Sequence, residues 1–404
     1  MRRYGYIRRS APIGVIVVLL LATVTGWSQQ PPRPWIKWLS EVDVRLGHSS
    51  TNITGVSNGG TLIGSYYYYA SYYHAFRWIP NPTPPGTPFS SGSFRDLGHL
   101  GGGYSVAYGM SSDGRIVVGA AYTAQGRWRA FRWREADNTM IDLGTFGGVN
   151  GYAYDVSADG SVIVGEAQND SGYYHAFRWT QAGGMQDLGT LVSDTGARAN
   201  WSTATKISAN GSVIVGYGQY YNAPRGRWEE RAFRWTASGG LQLLPPLETG
   251  ANSYAYGVSE DGSVIVGKAQ NADGIYRAVR WQAGRIQDLG TLGGPTSEAR
   301  AVSSDGQVVI GVFDVGTWHA FIWTPGRGME DLNIKFAHLL TGEYQGSILR
   351  EVVAISPNGS YIVGHGYNAR TGREENFLLF VPEPASLLAL GVGLSGLLLR
   401  RRKQ

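Results

Sequence analysis

The chain has no cysteine, which excludes a disulfide-stapled fold, a thiolate metal site and any cysteine nucleophile. Charge is also scarce. Asp, Glu, Lys and Arg make up 16% of the 404 residues, against about 25% in an ordinary soluble domain. Long apolar runs are absent from the interior and occur only near the two ends. The net charge of +5 is an end effect as well. Arg2, Arg3, Arg8 and Arg9 sit at one end, Arg400, Arg401, Arg402 and Lys403 at the other, and the middle is slightly acidic. The basic balance is therefore no argument for a nucleic-acid partner. What is plentiful is glycine, at 58 residues, with 24 tyrosines and 13 tryptophans. That is too much glycine for a helical bundle and too many aromatics for a disordered tail. A turn-dense, all-β chain remains.

Both ends read as addresses. Residues 1–28 have the order of a secretory signal peptide: a basic stretch, an apolar run from Ile13 to Ala22, then small residues. The run is short for a hydrocarbon core of about 30 Å, so cleavage by signal peptidase after Gly26 or Ser28 is expected. Residues 381–404 run from Val381-Pro382-Glu383-Pro384 through an apolar stretch, Ala385 to Leu399, to a basic tail. This is the pattern of a short transmembrane helix with positive residues left on the cytoplasmic side. It resembles the PEP-CTERM sorting signal. The resemblance implies that an exosortase recognises Pro382, Glu383 and Pro384 and removes the helix with Arg400, Arg401 and Arg402. It implies a secreted protein of a bacterial surface or extracellular matrix, membrane-anchored until it is processed.

Between these ends, residues 29–380 are repetitive. The stretch Ala153 to Gly165 recurs in altered form in units that start near residues 53, 107, 204, 255, 299 and 353. Each copy carries Asp-Gly or Asn-Gly before a short β-branched run, as in Asp159-Gly160 before Val162-Ile163-Val164. Such dipeptides tolerate positive φ at both positions, so a type I′ hairpin is expected. A second motif follows: His175-Ala176-Phe177-Arg178-Trp179, with its relatives ending at Trp78, Trp133, Trp235, Trp281 and Trp323. A third is Asp187-Leu188-Gly189. The three motifs predict four short antiparallel strands per unit, the size of a propeller blade. The seventh unit lacks its fourth strand. Trp35 to Trp38, followed by Asp43 to Gly47, is the candidate to complete it and close the ring. A seven-bladed β-propeller is predicted, with an open β-solenoid as the alternative.

The triplets His74-Ala75-Phe76, His175-Ala176-Phe177 and His319-Ala320-Phe321 resemble the HAF repeat family. The likeness runs through nearly all of residues 50–379. It implies an extracellular or surface protein and no particular activity. Three units place Arg where His stands, and arginine cannot replace imidazole at a metal. His74, His175 and His319 are therefore read as structural, as are the six motif tryptophans, and no metal or cofactor is expected. The Asp of the third motif is expected to pair across the hairpin with the motif arginine, Arg178 with Asp187. No phosphate-cradling loop or nucleophile elbow is present.

One asymmetry points to function. The turns within the first and third hairpins are tight, whereas the segments expected to open on the other face are rich in tyrosine and tryptophan. They hold Tyr66, Tyr67, Tyr68, Tyr69, Tyr72 and Tyr73, then Trp128, Tyr173, Tyr174, Trp201, Tyr220 and Tyr221. Exposed Tyr and Trp offer rigid amphipathic surface suited to sugar rings. The expectation is a non-catalytic protein that binds or organises extracellular polysaccharide or a surface partner. The competing readings are a propeller hydrolase or lyase acting at the channel mouth, and a purely structural matrix subunit.

Overall fold

The computed structural model describes residues 32–47, 51–68, 72–84, 87–248 and 252–382. The signal peptide, the sorting signal from Glu383 onward and Tyr69 lie outside them. No helix among the described residues is long and apolar enough to cross a membrane.

The chain forms seven four-stranded antiparallel sheets. Blade 3 shows the pattern: Gly147–Val156 along the axis, then Val162–Asn169, Tyr174–Thr180 and, at the rim, Gly184–Asp187. The innermost strands of successive blades touch, and Asn52–Val56 of blade 1 meets Ile348–Ile355 of blade 7, so the ring closes. Blade 7 takes its outer strand from the far end of the chain. Trp35–Trp38 pairs antiparallel with Arg373–Phe380, Trp35 opposite Phe380 and Trp38 opposite Phe377. Asp43 to Gly47, read as its exit, is a single helical turn over Val44–Gly47.

Alternation along the third strand explains the packing. Phe177 and Trp179 of blade 3 lie on Val118 and Ala130 of blade 2, and Phe233 and Trp235 of blade 4 lie on Val164 and Ala176 of blade 3. Large faces thus meet small ones around the ring. Trp78, Trp133, Trp179, Trp235, Trp281 and Trp323 are all buried. Each such side chain contributes on the order of 2–3 kcal/mol.

Two local expectations need correction. The Asp-Gly hairpins are not type I′. Gly160 has φ +74°, but Asp159 does not share it; Asn138 and Ala283 are the non-glycine residues with positive φ among those described. Gly160 N donates to Ser157 O at 2.9 Å. Asp159 serves as an acceptor instead, taking the Ser157 hydroxyl at 2.6 Å and the Ser161 amide at 2.9 Å. The Ser157 hydroxyl oxygen in turn accepts from Val162 N at 3.0 Å. Aspartate or asparagine is there for its side-chain oxygen, and only glycine needs the left-handed region.

The motif arginine does not pair with the motif aspartate. The register sets Phe177 opposite Asp187 and Arg178 opposite Gln186, so Asp187 shares a face with His175. His175 Nδ1 lies 2.8 Å from Asp187 Oδ2, and Asp187 Oδ1 accepts the Gly189 amide at 2.7 Å. His74–Asp96 and His319–Asp331 repeat this, and Arg129–Asp142 and Arg277–Asp288 substitute guanidinium for imidazole. Either cation-forming side chain presents N–H to the carboxylate, which is why the two exchange. In blade 4, where Leu243 replaces the aspartate, Arg231 reaches 4.0 Å from Glu229 instead. Two arginines that precede the motif tryptophan reach the next blade: the Arg77 guanidinium lies 6.0 Å from the Trp133 ring, and Arg280 5.7 Å from Trp323.

A serine bolts neighbouring blades together. Ser202 Oγ accepts Ala176 N at 2.9 Å and donates to Gly189 O at 2.6 Å. Ser105 and Ser297 make the same two bonds, and Ser253 makes the first. Blade 3 has Gly151 at this place, and a Cβ built there meets Gly144 O at 3.3 Å and Ala130 N at 3.6 Å, the atoms a hydroxyl would bridge. Gly151→Ser should therefore raise stability by about 1 kcal/mol, read as a higher urea midpoint. A lower midpoint would mean that the backbone does not yield the space.

Candidate functional site

The first strand of every blade carries a bulge opposite the repeated glycine. In blade 3, Ala153 pairs with Gly165 and Asp155 with Val164, leaving Tyr154 as the extra residue. The same slip frees Thr54, Tyr108, Thr205, Tyr256, Arg300 and Val353 in the other blades. All seven of these residues line one central cavity of about 550 Å³. The bulge turns a regular strand into a device that aims one side chain per blade at the axis.

The small members bind the neighbouring wall: Thr54 Oγ1 donates to Ala107 O at 2.8 Å, and Thr205 Oγ1 to Ala255 O at 2.7 Å. The large members meet charge. Tyr154 donates to Glu166 Oε1 at 2.9 Å, and Thr203 donates to Glu166 Oε2. Lys206 Nζ lies 3.1 Å from Asp155 Oδ1. Arg300 bridges Glu298 at 3.3 Å and Glu351 at 2.9 Å, and Lys268 reaches Glu298 at 2.8 Å. Burial pushes the Glu166 carboxyl up, against the lowering effect of its two hydrogen bonds. Burial also raises the phenols of Tyr108, Tyr152, Tyr154 and Tyr217, and the Glu166 charge adds to each shift. Burial holds His365 down, opposed by Glu351.

The tyrosines singled out in the sequence divide into several groups. Most do not sit in loops: Tyr66, Tyr67 and Tyr68 belong to strand Leu62–Tyr68, Tyr72 and Tyr73 to Tyr72–Pro80, Tyr174 to Tyr174–Thr180, and Tyr220 and Tyr221 to Ile214–Asn222, whereas Tyr173 lies in the turn before Tyr174. Aromatic residues favour extended backbone, so they prolong the hairpins beyond the disc. Tyr67 and Tyr73 are exposed and meet edge to face at 4.8 Å. Tyr173 is exposed. Tyr221 packs on Trp228 at 5.2 Å. Tyr220 is buried beneath Arg231 and is no ligand contact. Tyr66 is half-buried and donates to Asp96.

Tyr72, Trp128 and Tyr174 join a continuous aromatic path, whereas Trp201 belongs to a separate cluster with Tyr217, Tyr254 and Tyr256. Tyr72 meets Tyr104 at 5.0 Å, Tyr104 meets Tyr122 at 5.6 Å, and Tyr122 meets Trp128 at 4.4 Å. Trp128 then meets Tyr152 at 6.1 Å, and Tyr152 stacks with Tyr154 at 6.3 Å, inside the channel. Tyr174 joins at Tyr152, 6.1 Å away, and Trp201 packs on Tyr217 at 5.9 Å. The path runs from the third strand of blade 1 to the axis.

Sequence reasoning passed over Glu166, Lys268 and His365. A signal was present. Each directly follows the repeated glycine, where the seven units differ most: Ser65, Ala120, Glu166, Tyr217, Lys268, Val312 and His365. Of these seven, Glu166 and Tyr217 line the central cavity. Among the described residues no group of three or more His, Asp or Glu side chains is placed to hold a metal ion.

Residues 380–403 match the PEP-CTERM protein-sorting motif. The match implies secretion, sorting to the cell surface and exosortase processing. It covers the tail and not the propeller. No curated protein sequence matches the chain. Solved structures resemble the ring. The β-propeller domain of the Trilobed protease from Pyrococcus furiosus, described as having an open velcro topology, is 10% identical with a TM-score of 0.55, over 82% of this chain and 95% of that one. An oligogalacturonate lyase solved in complex with manganese is 10% identical with a TM-score of 0.52, over 88% and 92% of the two chains. TolB from Acinetobacter baumannii is 14% identical with a TM-score of 0.44 over 67% of this chain, which spans 63% of TolB. The likenesses to the protease domain and the lyase support the propeller fold and nothing finer.

Proposed function

We propose that the protein is a non-catalytic, surface-sorted propeller that binds extracellular polysaccharide across its aromatic face. The observation that carries this is the unbroken ring path from Tyr72 through Tyr104, Tyr122, Trp128 and Tyr152 to Tyr154. Rigid aromatic surface stacks on sugar rings at low entropic cost, and a path spanning three blades suits a chain rather than a single sugar. We also assign the units to the HAF repeats, in which the His–Asp pair and the Phe face are scaffold. Of the carboxylates that line the cavity, Asp155 is held by Lys206. Glycoside hydrolysis needs two carboxyl groups free to act as acid and as base or nucleophile. Glu166 and Glu260 line the same cavity, so the assay for shortened glycan products below decides between the two readings.

The test is binding of the purified protein to a glycan array and to matrix polysaccharide, beside a Tyr72→Ala, Trp128→Ala, Tyr174→Ala triple variant. Wild-type binding that weakens at least tenfold in a variant of unchanged melting temperature is the expected result. Absence of wild-type binding, with self-association in its place, would make the protein a structural matrix subunit. Shortened glycan products would make it an enzyme.

A further inference from the structure

The residue after the repeated glycine does opposite things in blades 3 and 5. The register is equivalent: Tyr152 pairs with Glu166 and Tyr254 with Lys268. In blade 5, Lys268 Nζ lies 5.2, 5.6 and 4.9 Å from the ring centroids of Tyr254, Tyr256 and Tyr276. Glu298 Oε2 completes its surroundings at 2.8 Å. The chain thus holds one ammonium group in a tyrosine cage closed by a carboxylate. This is the arrangement in which cation–π attraction and charge act together.

In blade 3 a similar cage is built with the carboxylate but without an ammonium. Glu166 is oriented by the Tyr154 and Thr203 hydroxyls. Tyr108 from blade 2, Tyr152 and Tyr154 from its own blade and Tyr217 from blade 4 all feel its charge. Tyr108 and Tyr154 approach each other at 5.5 Å. Among the described residues no Lys, Arg or His forms an ion pair with Glu166, and none contributes to its shift. Asp155 and Lys206, which line the same cavity, are satisfied by each other. Tyr108, Tyr154, Glu166, Thr203 and Tyr217 share the cavity of about 550 Å³, within the roughly 300–1,000 Å³ of ligand pockets.

We propose that Glu166 and its tyrosines form a subsite for an ammonium group carried by the polysaccharide, that is, for a hexosamine unit with a free amine. The inference rests on the polysaccharide reading above and specifies it. An acetylated amine has neither the charge for Glu166 nor the cation for the tyrosine faces. The aromatic path delivers the sugar chain to the cage, and the charge at its end selects the unit.

The experiment is calorimetric titration of the purified protein with a glucosamine tetramer and an N-acetylglucosamine tetramer, in the wild type and in Glu166→Gln. At least tenfold tighter binding of the free amine is expected in the wild type. In Glu166→Gln the preference should vanish, the two tetramers binding alike, and an unchanged melting temperature shows that the variant is folded. Equal wild-type affinities, or a preference that survives in Glu166→Gln, would overturn the subsite. Binding of neutral or acidic glycans with neither tetramer bound would overturn it too, and leave the polysaccharide reading standing. No glycan binding at all removes both. Pentalysine bound at the site in place of either tetramer would overturn the sugar assignment in favour of a basic peptide.

Discussion

Trp38→Ala should destabilise the ring by about 3–5 kcal/mol, the largest loss expected from any single truncation outside the repeats. Trp38 is fully buried and packs with Ile322, Leu349, Phe377 and Leu379. Its ring meets Phe377 edge to face at 6.1 Å. Beyond the cavity it would leave, it anchors a strand of only four residues. Trp35, stacked on Phe380 at 5.5 Å, is the other anchor. With one anchor gone, the edge of Arg373–Phe380 opens more readily and presents unpaired backbone groups. Urea unfolding followed by tryptophan fluorescence, with limited proteolysis near residue 38, measures this. Trp228→Ala is the control, because Trp228 is exposed and its loss should cost less than about 0.5 kcal/mol. Equal midpoints for the two variants would refute the role of the N-terminal strand as the clasp.

The second large effect comes from adding one methyl group. Gly165→Ala should cost about 3 kcal/mol, at the upper end of overpacking penalties. A Cβ at residue 165 would lie 1.9 Å from Tyr152 O and 2.9 Å from Ala153 Cα. These are backbone atoms of the bulged strand and cannot turn aside. The glycine is needed for close approach, not for a left-handed conformation. The same collision recurs at Gly119, Gly216 and Gly267, each 1.9 Å from a carbonyl oxygen. Relief requires the bulge to move, and Tyr154 and Glu166 move with it. Thermal melting and glycan titration should therefore fall together in Gly165→Ala. Gly126→Ala, at a hairpin tip with open space around it, should cost only about 1 kcal/mol for its positive φ and leave binding intact. Similar losses in the two would mean that the bulge yields.

Much of the ring was legible because each unit is locally consistent. Turn residues, β-branched runs and alternating Phe and Trp agree within most copies, with Val279 for Phe in the fifth and Leu379 for Trp in the seventh, so the blade could be read from one and counted over seven. The missing fourth strand of the last unit and the orphan strand Trp35–Trp38 named each other. Details that depend on register were not legible. Arg178 and His175 both lie within reach of Asp187 along the chain, and only the pairing of Phe177 with Asp187 decides for His175. Likewise Asp159 suits a positive φ and a side-chain acceptor role equally well until the turn is seen.

The tyrosines show the same divide. Their number and placement announced an aromatic face, but Tyr72 and Trp128 join a path while Tyr220 serves the core under Arg231. Nothing in the linear order separates them.

By itself, the sequence determined the architecture, the closure and the address, because these follow from repetition, periodicity and terminal motifs that act over a few residues at a time. Only the tertiary structure decided the channel. Its wall takes one bulged residue from each blade, and Glu166 faces tyrosines from blades 2, 3 and 4. Those rings surround the carboxylate only when the blades are packed about a common axis. The desolvation that sets its chemistry does not exist in any single repeat.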